Sequence, residues 1–432
     1  MNDQTVNHGR VSWRELCPWA IIFRTLPVAT SISVLGLAFL GVVLTPVGWR
    51  VSEFVFVSES MQQSDPQLTE MVQRNRSLYG ADFWDAENQS HAIEIFGFRL
   101  EGTQLVFERI VQPFYTVFGE CQSFWEFCYV LFGSVWSMLV WSFLGVGIAR
   151  ICLLRLTRDE RAGLDDAFDY SVQKFMTAML AVSLPMLAVF LICVPTFLLG
   201  LIMGFDLGTV VVGFVWILVL ALSTVMAVLL AGLLFGWPLV ISSVACEGQN
   251  SFDAMTRAFA YTFQRPLNYL LYIVIAIFFG GFCWLLASHL TDGIVNLGYW
   301  STSWGTNAIS SDRMDLIQFG VASQPLEENS ADVAASVGNS LETGRYLIGL
   351  AVGFARTVCV AFMYGLFWCM ASAIYLLLRK DVDEVEMDEI YIVDERRTYQ
   401  LPALKSDESG IPQVQSLEVG GDGNDPDDSD VG

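Results

Sequence analysis

Ala167-Phe-Asp-Tyr-Ser-Val-Gln-Lys174 and Ala258-Phe-Ala-Tyr-Thr-Phe-Gln-Arg265 read as two versions of one stretch, 91 positions apart. Ala, Phe, Tyr and Gln coincide; Ser stands against Thr and Lys against Arg. Leu164, Phe168 and Val172 fall on Met255, Phe259 and Phe263, an apolar stripe at the i, i+4, i+8 spacing of an amphipathic helix. Acidic residues open both versions (Asp165 and Asp166; Asp253) and a base closes each, the order a helix dipole favours. Long apolar segments flank both. The spacing predicts a helix–elbow–helix hairpin used twice, with Phe168, Tyr170 and Gln173 in one elbow and Phe259, Tyr261 and Gln264 in the other. Two independent amphipathic helices meeting the same interfacial demands would read alike.

Working outward, 54% of the 432 residues are hydrophobic and 16% charged, and several apolar runs exceed the roughly 20 residues needed to cross a bilayer. The expected class is an all-α polytopic membrane bundle of about six transmembrane helices. Residues 1–27 read as a cytosolic N-terminus whose part from 11 lies on the membrane surface rather than as a cleavable signal peptide. The first span is expected at 28–49. An extracytoplasmic region follows at 50–125, with a helix near 67–78 and a strand near 92–100. The second and third spans with the first elbow occupy 128–203, and the fourth and fifth with the second elbow 207–288. An extracytoplasmic loop is expected at 289–345 and the sixth span at 346–380. Arg150, Arg155, Arg158 and Arg161 after the second span place the elbows, and both termini, in the cytosol of an inner-membrane protein.

The formal net charge of -22 is unevenly spread. More than half of it belongs to 381–432, an acidic segment too poor in apolar residues to fold, and therefore expected to be disordered. Nucleic acid is excluded as a partner by this balance. The expected partners are the lipid bilayer and a protein bound through the tail; the oligomeric state is open.

Sites are sparse. The nine cysteines and three histidines have no ligand spacing, so no metal and no cofactor is expected. Ser171-Val-Gln-Lys174 has the Ser-x-x-Lys spacing of penicillin-binding enzymes without their companion motifs. Asp381 to Glu386 fails the calcium-loop pattern at its glycine. No catalytic residue is expected. Arg356 stands within or beside an apolar run, either inside the membrane or snorkelling at its outer face. Glu247 pairs with Arg257, structurally, or serves proton coupling. Gly349 and Gly353 form a Gly-x-x-x-Gly helix-packing pair.

Pro238-Leu-Val-Ile-Ser-Ser-Val-Ala-Cys-Glu247-Gly, followed by Phe252-Asp-Ala254-Met-Thr-Arg257-Ala-Phe-Ala-Tyr261, resembles the elbow of bacterial multi-pass membrane domains, among them the membrane region attached to some glycerophosphodiester phosphodiesterases. Ser372-Ala-Ile-Tyr-Leu-Leu-Leu-Arg379-Lys-Asp-Val-Asp383 is similar to the close of uncharacterised planctomycete-type multi-pass proteins. The resemblance covers about 60 residues. It implies a helical bundle in a bacterial inner membrane and brings no catalytic residues. The expected function is a non-catalytic scaffold or assembly component; a transporter or channel built on the repeated hairpin is the alternative.

Overall fold

The computed structural model describes residues 17–58, 65–79, 93–95, 98–100, 106–112, 116, 123–160, 163–307, 339–385, 387, 389–391, 405–406 and 412–413. A 3-10 helix, Pro18–Thr25, and a short helix, Leu26–Ala29, lead into α1 (Ile32–Phe56). There follow α2 (Pro66–Tyr79), the strands β1 (Ile93–Ile95) and β2 (Phe98–Leu100), α3 (Phe124–Thr157), α4 (Leu164–Ile202), α5 (Asp206–Glu247), α6 (Ser251–Gln264), α7 (Pro266–Asn307) and α8 (Asn339–Asp383). Six of these, α1, α3, α4, α5, α7 and α8, are long and apolar enough to cross a membrane. The protein is an all-α polytopic bundle. The strand expected near 92–100 is an antiparallel pair with Ile93 opposite Leu100.

Local chemistry sets the helix ends. Ser123 starts α3 with a capping box: its hydroxyl accepts from Trp125 N and Glu126 returns to Ser123 N. Residues 203–205 turn α4 into α5. A side chain at Gly208 would lie 1.9 Å from the Ile202 carbonyl oxygen, so glycine is required there. Gly248, at φ 61°, closes α5 in the left-handed conformation that glycine adopts without penalty.

The elbows are corrected. Ala167–Lys174 is not a bend: it forms the opening turns of the continuous helix α4. The second version does end in a break, because Pro266 drives Arg265 out of the helical region (φ -129°, ψ 57°) and starts α7. Phe175 stands where Pro266 does, and the helix runs on. What the two versions share is a buried face. Ala167 and Ala258 are fully buried, and Tyr170 and Tyr261 nearly so. The predicted stripe faces the other way: Leu164, Phe168 and Val172 are 41–57% exposed. Phe168 only meets Phe143 edge to face, whereas Phe259 lies over Gly232 and Gly236 of α5. Phe259→Ala should therefore lower thermal stability in detergent by about 1.5–3 kcal/mol and Phe168→Ala by much less; equal losses would contradict this packing.

Three boundaries also move. Residues 289–307 remain helical, because Thr302, Ser303 and Thr306 turn their hydroxyls onto carbonyls three or four residues back instead of ending the helix. The helix that carries the sixth span starts earlier than expected, at Asn339, while the apolar span itself is Tyr346–Asp383. The acidic segment does not leave the bundle at 381: α8 runs to Asp383, and Ile390 is buried in the core. Most of the remaining tail lies outside the described residues, which include a pairing of β3 (Lys405–Ser406) with β4 (Pro412–Gln413).

Glycine–tryptophan contacts hold the centre. The Trp136 ring of α3 lies on Gly48 of α1, Trp49 on Gly133, Trp141 on Gly41, and Trp368 of α8 on Gly145. Gly349 and Gly353 have nothing within 4 Å of where a side chain would begin, so this pair makes no close helix contact within the chain.

The described residues 65–79 pack at the end of the bundle opposite α6, where α1 ends and α3 begins. Here α2 packs Leu68, Met71 and Val72 beneath Trp49 and Tyr129. The Arg76 guanidinium is held by the Glu53 carboxylate, and this bond raises its pKa despite some burial.

Candidate functional site

The end of α5 is enclosed by the other helices, and every residue from Gly236 to Cys246 is buried. A helix end leaves backbone carbonyls without intrahelical partners and carries partial negative charge. Inside a bundle these groups need donors, and the neighbouring helices supply them. Tyr170 of α4 donates to the Val244 carbonyl at 2.9 Å, and Arg150 of α3 to Ala245 at 3.1 Å. Lys174 donates to Gly248 at 2.5 Å. The Arg150 guanidinium also lies 4.6 Å over the Tyr170 ring. Tyr170 and Lys174 are thus caps for a different helix from their own.

Glu247 stands at the centre of a second layer. Its carboxylate meets Arg257 of α6 at 2.6 Å and Arg379 of α8 at 3.3 Å, and accepts from the Tyr375 hydroxyl at 2.7 Å. Its side chain is 6% exposed, against 11% for Arg379 and 40% for Arg257. Arg379 continues to the Cys246 sulfur at 3.6 Å and the Glu389 carbonyl at 2.6 Å. Asp383 accepts from Tyr261 and lies 3.8 Å from Arg257. Asp381 accepts from Asn268 and Tyr272 of α7. Burial works against the Arg257 charge, but Glu247 and the adjacent tyrosines outweigh it and raise its pKa. Burial and then the Asp383 hydrogen bond raise that of Tyr261. The network joins α5, α6, α7 and α8 and can serve as a lock.

The expected pair Glu247–Arg257 is present. Gln173 and Gln264 are both exposed and outside the network. Arg356 is far away: at about 1.5 Å per residue it stands about 34 Å along α8 from Arg379, roughly the thickness of the hydrocarbon core. It is half-buried and lies near Tyr299 of α7. Among the described residues no His, Cys, Asp and Glu group could hold a metal ion.

One element had no sequence signal. Helical residues 106–112 enter the bundle from the end opposite the elbows, as a wedge between the spans. Phe107 stacks on Trp237 of α5 with ring centres 6.1 Å apart. Trp237 is ten residues before Glu247, so the wedge reaches about 15 Å from the elbow end. Arg109 is 7% exposed and lies in hydrogen-bonding reach of Tyr364 on α8. Its carbonyl accepts from Tyr79 at 2.5 Å. Irregular chain at membrane depth is tolerated where protein covers it. A short amphipathic run inside a polar region resembles any surface helix, so spacing alone did not reveal the insertion.

No protein-family model, curated protein or solved structure matches this sequence.

Proposed function

We propose that the protein is a non-catalytic scaffold or assembly component of a bacterial inner membrane, with both termini and the α5 junction on the cytosolic side. The observation that carries this reading is where the polar side chains at membrane depth turn. Ser183 donates to the Met179 carbonyl of its own helix at 2.7 Å, and Thr224 to Leu220 at 2.9 Å. Ser223 and Thr224 both face outward. A transport path needs polar groups converging between helices, and these do not converge. The charges at the α5 junction bind one another and the helix end.

Arg150, Arg155, Arg158, Arg379 and Lys380 gather at the elbow end, which supports the cytosolic assignment by the positive-inside rule. The likeness of 238–261 to the elbow of bacterial multi-pass domains, and of 372–383 to the close of planctomycete-type multi-pass proteins, supports the inner membrane. The acidic tail then serves as a tether for a protein partner.

The test is co-purification from native membranes, comparing the full chain with one shortened after residue 400. A partner lost with the tail supports the scaffold. In parallel, Ser183→Ala, Ser223→Ala and Thr224→Val should together leave phenotype and stability unchanged; loss of a solute flux in a fully folded triple variant would show that the protein moves something. A cysteine at position 160 should react with an impermeant thiol reagent only after lysis, and labelling in intact cells would overturn the orientation.

A further inference from the structure

The acidic chain leaves α8 by turning back on it. Glu384 takes the left-handed conformation, φ 55°, one residue after the helix ends at Asp383. A glutamate is strained there, and such a residue persists where its surroundings hold it. Two anchors follow. The Arg379 guanidinium donates to the Glu389 carbonyl at 2.6 Å, ten residues along the chain. Ile390 is 5% exposed in the hydrophobic core, with Val382 and Met387 packed against the same cluster. Tyr391 is exposed, and the compact unit that contains the bundle ends at Ile390. The stretch from Glu384 to Ile390 is therefore a strap, whose last residue is both a piece of the core and the covalent junction with the tail.

The side chain that holds the strap also holds the α5 junction. Arg379 reaches Glu247 at 3.3 Å and the Cys246 sulfur at 3.6 Å. Its planar fork can serve several acceptors at once. Glu247 passes the connection on to Arg257 of α6 at 2.6 Å.

We propose that the strap is a releasable latch that couples the tail to the α5 junction. Lifting Ile390 from the core takes away the Glu389 carbonyl, admits water to Arg379 and weakens the hold of Glu247 on α6 and α8. The direction follows from burial. The Arg379 and Glu247 side chains are 11% and 6% exposed, whereas an ion pair in water is screened and worth little. A short segment with few anchors opens before the bundle around it does. A partner on the tail acts first at Ile390, so the use of the latch rests on the tail being a tether. Its presence does not, and the experiment contains no partner.

The experiment is amide hydrogen exchange, read by mass spectrometry on the purified full chain in detergent. Ile390→Asp should speed exchange in α6 by at least about tenfold and leave α2, at the other end of the bundle, unchanged. A chain ending at Gln400 keeps the strap and should exchange as the full chain does. Arg379→Lys offers a point charge in place of the fork and should abolish the response: Ile390→Asp added to it should speed α6 by less than about twofold. Should Ile390→Asp fail to fold, Ile390→Ala replaces it, with a rise of about threefold expected in α6. An α6 unaffected by the Ile390 variants, equal speeding of α2 and α6, or the same increment with and without Arg379→Lys would overturn the latch. So would faster exchange of α6 in the chain ending at Gln400, because the tail itself would then be what holds that helix.

Discussion

Glu247→Ala should destabilise the bundle by about 3–5 kcal/mol, the range found when one member of a buried ion pair is removed. The loss comes mainly through Arg379. That side chain is 11% exposed, and beyond Glu247 it reaches the Cys246 sulfur and the Glu389 carbonyl. Without Glu247 its charge stays buried with no carboxylate in contact among the described residues. Arg257 is 40% exposed and water screens it, so Arg257→Ala should cost under about 1 kcal/mol. Glu247→Gln should fall between, since it keeps an acceptor for Tyr375 and loses the ionic contacts. Unfolding in mixed detergent micelles gives the order directly. A Glu247→Ala protein as stable as wild type would remove the lock as an explanation and return proton coupling as the role of this carboxylate.

Gly48→Ala should cost about 1–3 kcal/mol by overpacking. The added carbon would lie 1.9 Å from the Trp136 ring. That ring cannot withdraw freely, because its N–H is bound to the Leu44 carbonyl on α1. Trp136→Ala leaves a void and is destabilising on its own. Combined with Gly48→Ala it should cost less than the sum of the two single changes, since the added methyl then occupies part of the vacated space. Additive losses would mean that α1 and α3 separate rather than collide.

The sequence makes the spans legible because twenty or more apolar residues in a row have few alternatives to a bilayer. It makes Glu247–Arg257 legible because the two charges flank a short break between helices. It hides Arg379 and Asp383 in that same site: both read as ordinary boundary charges after an apolar run, and nothing local says that Arg379 turns inward to Glu247. Arg150 is hidden for the same reason, taken for a marker of sidedness when its guanidinium caps the end of α5. The elbow misreading is instructive. Identity at Ala167/Ala258 and Tyr170/Tyr261 records which face is buried. The presence of Pro266 against Phe175 decides which copy bends, and that single difference outweighs the matches around it.

The wedge constrains the order in which the protein can be made. Residues 106–112 leave the ribosome before Trp237 and Tyr364, the side chains they pack against, have been synthesised. During translation the segment therefore waits with no seat. It can occupy its place only after α5 and α8 have been inserted and gathered, so the amino-terminal third of the chain completes its structure last. Helices arriving late thus set the final position of a segment that arrived early, and a ribosome stalled before α8 would leave the wedge unseated.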